Sequence, residues 1–220
     1  MINIGVLASG RGSNFQAIID AVESGSISNV ALRLLLTDNP KAFALERAQK
    51  HGIESLALAP KQFTSRDAYF RHIAEEMKKR EIGLIVLAGF MRIVGNPLLD
   101  AYPHRIMNIH PALLPAFPGL HGQRDAADYG VKLAGCTVHF VDEGMDTGPV
   151  IIQAAVPVMD DDTEETLSAR ILRCEHRIYP EAIRLFAEGR LEVKGRKVRS
   201  GNMLPPEPIQ TLLIWPPLGS

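Results

Sequence analysis

Continuous apolar runs alternate with amphipathic stretches over the first hundred residues, and this alternation restricts the chain more than any other feature. Ile2–Ala8, Ala31–Leu36, Ser55–Ala59 and Gly83–Ala88 read as strands. Ile2–Ala8 reads as a buried strand, and the run at Gly83–Ala88 is continuous and apolar, as in a parallel sheet covered on both faces. Helical stretches fall between them: one following Ser9–Asn14 through about Val22, one near Ala42–His51, and one opened by Thr64-Ser65-Arg66-Asp67. In that third stretch a hydroxyl precedes a carboxylate by three residues, a helix-start pattern. Tyr69, Ile73 and Met77 then recur at helical spacing. The alternation predicts a doubly wound α/β fold: an open, mostly parallel twisted sheet with helices on both faces and a Rossmann-like N-terminal half.

The second half reads differently. A short apolar run at Arg105–Met107 leads into Asn108–Gly122, too dense in Pro and Gly for a helix interior or a central strand. Gly122–Val131 suits a short helix. Cys136–Asp142 alternates, with Cys136, Val138 and Phe140 on one face and Thr137 and His139 on the other, partly covered one. Gly148–Val158 reads as a strand that Pro149 and Pro157 push toward a sheet edge. Asp162 and Glu165 open a long helix carrying Leu167, Ile171, Cys174 and Ile178 at helical spacing, which Pro180 is expected to kink or restart. A basic stretch and a proline-rich tail follow Gly195, and the tail is expected to be loosely ordered. One domain over 1–190 with an extension over 191–220 is the expected organisation.

Composition excludes several function classes. The chain has 220 residues, 46% hydrophobic, enough for one core without staples. A formal net charge of -1 gives no general attraction to nucleic acid or anionic membrane. Cys136 and Cys174 form no CxxC, so neither a disulfide framework nor a structural zinc site is expected. No apolar run reaches the roughly 20 residues of a membrane span. Met1-Ile2-Asn3-Ile4 is strand-like without a basic leader, so no signal peptide is expected and the expected compartment is the cytoplasm.

Four stretches carry candidate chemistry. Ser9-Gly10-Arg11-Gly12-Ser13-Asn14 stands between a strand and a helix, where free backbone N–H groups and the helix dipole favour an anion. Phe15 occupies the third glycine position of the dinucleotide fingerprint, which argues against a nicotinamide dehydrogenase and leaves a small phosphate monoester as the better fit. A tight turn with Ser13 as helix cap accounts for the same residues. Leu87–Val94 ends the fourth strand, where open α/β sheets bind ligands. Its Phe90, Met91, Ile93 and Val94 suit the walls of a flat-ligand pocket, and Phe90 and Ile93 equally suit helix–sheet core.

Asn108 and His110, two apart, share a face if the strand extends that far. An amide donor beside an imidazole suits an oxyanion that also needs a proton moved; the same pair fits a strand end satisfied by backbone. The acidic loop Asp142–Gly148 reads as a turn, or as the source of a carboxylate that orients His110 and favours its charged form. His121, inside the central loop, is a further candidate, and Glu175 lies at the margin of a helix stripe, where it needs a partner. No acid or histidine spacing matches an EF-hand or zinc site, so no metal is expected.

Ser9-Gly10-x-Gly12-Ser13-Asn14, Leu87–Ile93, Asn108-Ile109-His110-Pro111-x-Leu113-Leu114-Pro115, Pro118-Gly119-Leu120-His121, and Val138–Val141 leading to Asp146 together resemble the folate-dependent formyltransferases, in order over about residues 2–190. One departure is Ala112, where the family often has Ser. The resemblance implies the formyltransferase fold, with antiparallel strands at the edge of the C-terminal half. It implies transfer of a formyl group from 10-formyltetrahydrofolate to the amine of glycinamide ribonucleotide, a step of purine synthesis. By that likeness Asn108, His110 and Asp146 are the catalytic trio. The folate side would involve Arg66, Met91, Arg92, Ile93, Val94, Asn108, Asp142, Glu143, Gly144, Met145 and Asp146. The ribonucleotide would rest on Gly12, Ser13 and Asn14, with Leu172, Arg173, Cys174 and Glu175 near its glycinamide end. Small molecules are the expected partners, with no nucleic acid or membrane, and the expected assembly is a monomer or homodimer.

Overall fold

A computed structural model of the chain describes residues 1–201. Its strands are β1 (Ile2–Ala8), β2 (Val30–Thr37), β3 (Glu54–Ala57), β4 (Ile82–Leu87), β5 (Ile106–His110), β6 (Leu133–Phe140), β7 (Val150–Pro157), β8 (Leu191–Lys194) and β9 (Lys197–Ser200). Its helices are α1 (Ser13–Glu23), α2 (Ala44–Lys50), α3 (Arg66–Lys79), α4 (Asn96–Ala101), α5 (Gly122–Tyr129) and α6 (Glu164–Ala187). The strands form one sheet in the order β3-β2-β1-β4-β5-β6-β7-β9-β8. β3 through β5 are parallel, and β6 and β7 run antiparallel to their predecessors. This is the open, mostly parallel sheet that the sequence predicts.

The continuous apolar runs are buried on both faces, because helices cover both. Ile4, Val6, Leu35, Val86 and Met107 pack with Phe15, Ile18, Leu167, Ile171 and Tyr179 on the side of α1 and α6. Leu7, Leu34, Leu36, Ile85 and Ile106 pack on the other side with Tyr69, Phe70, Ile73 and Met77 of α3 and Leu98 of α4. The Ser65 hydroxyl caps α3, accepting the Ala68 N–H at 3.0 Å.

Several boundaries differ from the sequence reading. The order of the sheet puts β7 third from its end, with β9 meeting it at a single register pair, Val150↔Lys197. Among the described residues most of its outer rim therefore stays free of the ladder, and its Pro157 closes the strand rather than interrupting it. Thr163, not Asp162, caps α6, accepting the Thr166 N–H. Asp162 instead forms an ion pair with Arg170 at 2.5 Å, which holds its carboxyl well below the usual range. Helix α6 runs through Pro180 without restarting. Proline has no N–H to donate to the preceding turn, but Tyr179, Ala182 and Ile183 beside it are all buried, and that packing holds the helix together. Residues 191–200 form a β8–β9 hairpin that the sequence reading missed, and the proline-rich tail lies outside the described residues.

Gly148 is a point of close approach. A Cβ there would lie 1.7 Å from the Phe140 carbonyl oxygen, so β6 and the entry to β7 meet backbone to backbone. Gly148→Ala is expected to cost about 1–3 kcal/mol through overpacking, with Tm falling roughly 2–4 °C per kcal/mol at this size. Gly10→Ala, whose added carbon meets no atom of the described residues within 4 Å, serves as the control. Equal Tm values by calorimetry would remove the packing argument.

Candidate active site

The strand order reverses direction of winding at β1 and β4, and open α/β sheets bind ligands beyond the carboxyl ends of such strands. There the chain after β1 meets the chain after β4: the Ser9 N–H donates to the Gly89 carbonyl at 3.0 Å, and the Ser9 hydroxyl accepts the Met91 N–H at 3.0 Å. Buried Tyr179 sits beneath, its hydroxyl 2.9 Å from the carbonyls of both Leu87 and Met107. That single O–H anchors α6 to the end of β4 and the neighbouring start of β5.

A cleft of ≈ 450 Å3 opens at this end of the sheet. One wall is apolar, from Leu87, Phe90, Met91, Ile93, Val94 and Val141, and the other is formed by Asn108, His110, His139 and Asp146. Phe90 is buried, as a core residue would be, whereas Ile93 is 52% exposed and Met91 61%. The alternative of core packing therefore holds for Phe90 and fails for Ile93. The Arg66 guanidinium donates to the Ile93 and Val94 carbonyls at 2.9 and 3.1 Å, fixing the backbone of that wall.

Strand β5 extends to His110, so Asn108 and His110 do share a face, and the antiparallel register sets Asn108 opposite His139. His110 Nδ1 lies 3.4 Å from Asp146 Oδ2, and His110 Nε2 lies 2.8 Å from the Phe117 carbonyl oxygen. Both ring nitrogens thus face oxygens that can accept a hydrogen bond. Asp146 holds a left-handed backbone, φ 55°, and its Oδ2 also accepts the Gly119 N–H at 2.8 Å. Its Oδ1 lies 3.8 Å from His139 Nε2. The central loop is pinned from below by buried Thr137, whose hydroxyl donates to the Ala112 carbonyl at 2.7 Å and accepts the Leu114 N–H at 3.0 Å.

Asn108 and His110, neighbours on one strand, therefore meet Asp146 from a loop 36 positions further along the chain. Met91, Arg92, Ile93, Val94, Asp142, Gly144 and Met145 line the same cleft. Arg66 and Glu143 instead line an adjoining hollow, with Phe63 and Tyr69. His121 is exposed at the start of α5 and does not line the cleft. His139, read from the sequence as partly covered, is fully buried within the site. Its sequence signals were the face shared with Thr137 and its place in the Val138–Val141 motif; the strand partner across the sheet was invisible to both. Arg196, from the unforeseen hairpin, donates to the Thr147 carbonyl at 3.0 Å, next to Asp146.

A second polar group lies at the start of α1. Ser13 is the first residue of this helix rather than its cap, left-handed Gly12 (φ 65°) precedes it, and no side chain among the described residues caps it. A Cβ on Gly12 would come within 2.9 Å of the Ala44 Cβ, which explains glycine there. Asn14 Nδ2 donates to Glu175 Oε2 at 2.7 Å, and both residues are buried. Glu175 is thus on the covered stripe with Ile171 and Tyr179, not at its margin. Burial pushes the Glu175 carboxyl up, opposed by the Asn14 hydrogen bond. Leu172 and Cys174 are half-buried on the same helix and Arg173 is exposed. Ser13 also lines a small polar depression with Gln16, Asp20, Arg47 and His176.

Among the described residues, no group of three or more His, Cys, Asp or Glu side chains could hold a metal ion. Among them, too, no helix is long and apolar enough to cross a membrane.

The sequence profile described as formyl transferase matches residues 2–183. Phosphoribosylglycinamide formyltransferase of Escherichia coli (strain K12) is 44% identical over 207 residues, covering 94% of this chain and 97% of that protein. The trifunctional purine biosynthetic protein adenosine-3 of Drosophila melanogaster is 44% identical over 187 residues, which are 84% of this chain and only 14% of that protein. The crystal structure of glycinamide ribonucleotide transformylase 1 from Symbiobacterium toebii superposes with a TM-score of 0.89 at 54% identity, over 91% of this chain and 94% of that one. Since the matched span runs from β1 into α6 and so contains every strand that frames the cleft, the chain belongs to the formyl transferase family.

Proposed function

We propose that the protein transfers the formyl group of 10-formyltetrahydrofolate to the amine of glycinamide ribonucleotide, giving formylglycinamide ribonucleotide and tetrahydrofolate in purine synthesis. The observation that carries this reading is the convergence of an amide, an imidazole and a carboxylate beside an apolar cleft: Asn108, His110 and Asp146, with 3.4 Å between the last two. The folate ring system would lie along Met91–Val94 and the Asp142–Asp146 loop, with Arg66 and Glu143 toward its outer end. The start of α1 at Gly12, Ser13 and Asn14, which no described side chain caps, would receive the ribonucleotide phosphate, because helix-start N–H groups and the helix dipole favour an anion. Leu172, Arg173, Cys174 and Glu175 would flank the glycinamide.

The chemistry follows from the groups present. The substrate nitrogen attacks the formyl carbon, and the carbonyl electron pair moves onto oxygen. Asn108 and protonated His110 donate to that oxygen, His110 exchanging its bond to the Phe117 carbonyl for it. Loss of one such donor costs about 100- to 1,000-fold in rate. The tetrahedral intermediate then collapses, breaking the bond from carbon to the folate nitrogen. One proton leaves the attacking nitrogen and one reaches the departing nitrogen, relayed by His110 directly or through water. Asp146 balances the imidazolium charge throughout.

The direct test follows folate product by absorbance with and without glycinamide ribonucleotide. Product formation that requires the ribonucleotide is expected. Formate release without it would make the protein a formyl hydrolase, and binding of both ligands without turnover would make it a binding module.

Glu175 supplies a separable prediction. A carboxyl whose pKa is raised on folding stabilises fully below the ordinary carboxylate range, and that contribution is lost as pH rises through the raised value. Glu175→Gln keeps an acceptor for Asn14 without the charge. Its Tm is expected to exceed that of the wild type increasingly as pH rises above 4.5. Its kcat/KM for the ribonucleotide should fall about 10- to 100-fold, the scale of one lost charged hydrogen bond. Unchanged kcat/KM would separate Glu175 from the substrate.

A further inference from the structure

His139 has no part in the chemistry just described, yet it is buried between β5 and the Asp146 loop and its ring faces the cleft. Its hydrogen bonds allow one protonation pattern. Nδ1 lies 2.9 Å from the Phe140 carbonyl oxygen, which can only accept, so Nδ1 carries a proton. Nε2 lies 3.2 Å from Asn108 Nδ2. A bare Nε2 accepts one of the two amide protons of Asn108. A protonated Nε2 would set two donors against each other and turn the amide over. The two ends of an Asn side chain are alike in shape, so its partner decides which end points where.

We infer that His139 is a positioning residue for the formyl transfer proposed above, on which this inference rests: its ring, protonated on Nδ1 alone, holds Asn108 with one amide proton bonded and the other free for the formyl oxygen. His139 touches no reacting atom and acts through Asn108. The charged groups around it are consistent with that state. Asp146 and Asp142 from the loop favour the imidazolium, while His110 on β5 opposes it. Burial outweighs them and holds the ring below the ordinary histidine range. Asp146 Oδ1, at 3.8 Å, is beyond hydrogen-bond distance of Nε2, as a bare nitrogen facing a carboxylate would be.

Long-range proton–nitrogen NMR on the full chain labelled with 15N-histidine reads the ring directly and needs no turnover. The signal is assigned by its loss in His139→Gln. At neutral pH a proton on Nδ1 and none on Nε2 is expected; a proton on Nε2, alone or with Nδ1, overturns the inference. Kinetics supplies the second readout. His139→Leu has no acceptor for Asn108 and is expected to lower kcat about 10- to 100-fold, part of the value of one oxyanion donor, with both KM values little changed. His139→Gln, whose side-chain oxygen can accept, should recover most of the loss. Equal kcat in the Leu and Gln variants overturns the inference. So does a further fall when His139→Leu is added to Asn108→Ala, because groups acting through one another do not add. Absence of formyl transfer by the wild type would instead remove the functional reading, while the spectrum reports the ring state on its own.

Discussion

Asp146→Asn is expected to lower kcat about 100- to 10,000-fold, the range associated with a positioned proton relay. The substitution nearly preserves volume and leaves an oxygen that can accept the Gly119 N–H, now 2.8 Å from Oδ2. Asparagine also tolerates the left-handed backbone at φ 55° better than most residues. The loop should therefore stay folded, and Tm should change little. What disappears is the negative charge 3.4 Å from His110 Nδ1. The amide would offer His110 either a neutral oxygen or a second donor, and neither balances an imidazolium. Binding of glycinamide ribonucleotide, measured by calorimetry without folate, should be retained, because α1 supplies its phosphate contacts in this reading. Wild-type kcat in this variant would leave the carboxylate without a role.

His110→Ala should produce a loss of the same order in kcat, about 100- to 10,000-fold, since donor and proton carrier are removed together. It differs from Asp146→Asn in stability. The imidazole is buried, and its Nε2 bonds the Phe117 carbonyl at 2.8 Å. Truncation leaves that carbonyl without the imidazole, a penalty on the order of 1–3 kcal/mol for an unsatisfied buried group, while Asp146 keeps the Gly119 N–H. A lower Tm with intact ribonucleotide binding is the expected signature. Added imidazole should restore part of the rate by entering the vacated space. A variant that turns over at the wild-type rate would withdraw His110 from the reaction.

The two substitutions separate charge from proton carriage in one pair of groups. If both lose the same factor singly and no more when combined, they act as a unit, as groups in direct contact do. Additive losses would mean that Asp146 acts on substrate independently of the imidazole.

Local pattern was enough for the frame. The run Ile2–Ala8 became β1 at the same bounds, and the helical spacing of Tyr69, Ile73 and Met77 became the buried face of α3. It also marked Asn108 and His110, because a two-residue spacing on a strand is a local fact, and the family motifs extended that to Asp146. Periodicity reports which face of an element is apolar but not what lies opposite it. His139 meets Asn108 across 31 positions of chain and Asn14 meets Glu175 across 161, so neither pair leaves a trace in any short window. Pro180 misled for a related reason: its local effect is to break a helix, and only the packing of Tyr179, Ala182 and Ile183 on the sheet overrides it. The sequence by itself determined the layers, the end of the sheet at which the cleft opens and the residue types at its centre. Tertiary structure alone decided which buried polar group answers which, since strand register and helix docking are set by burial of the whole apolar surface.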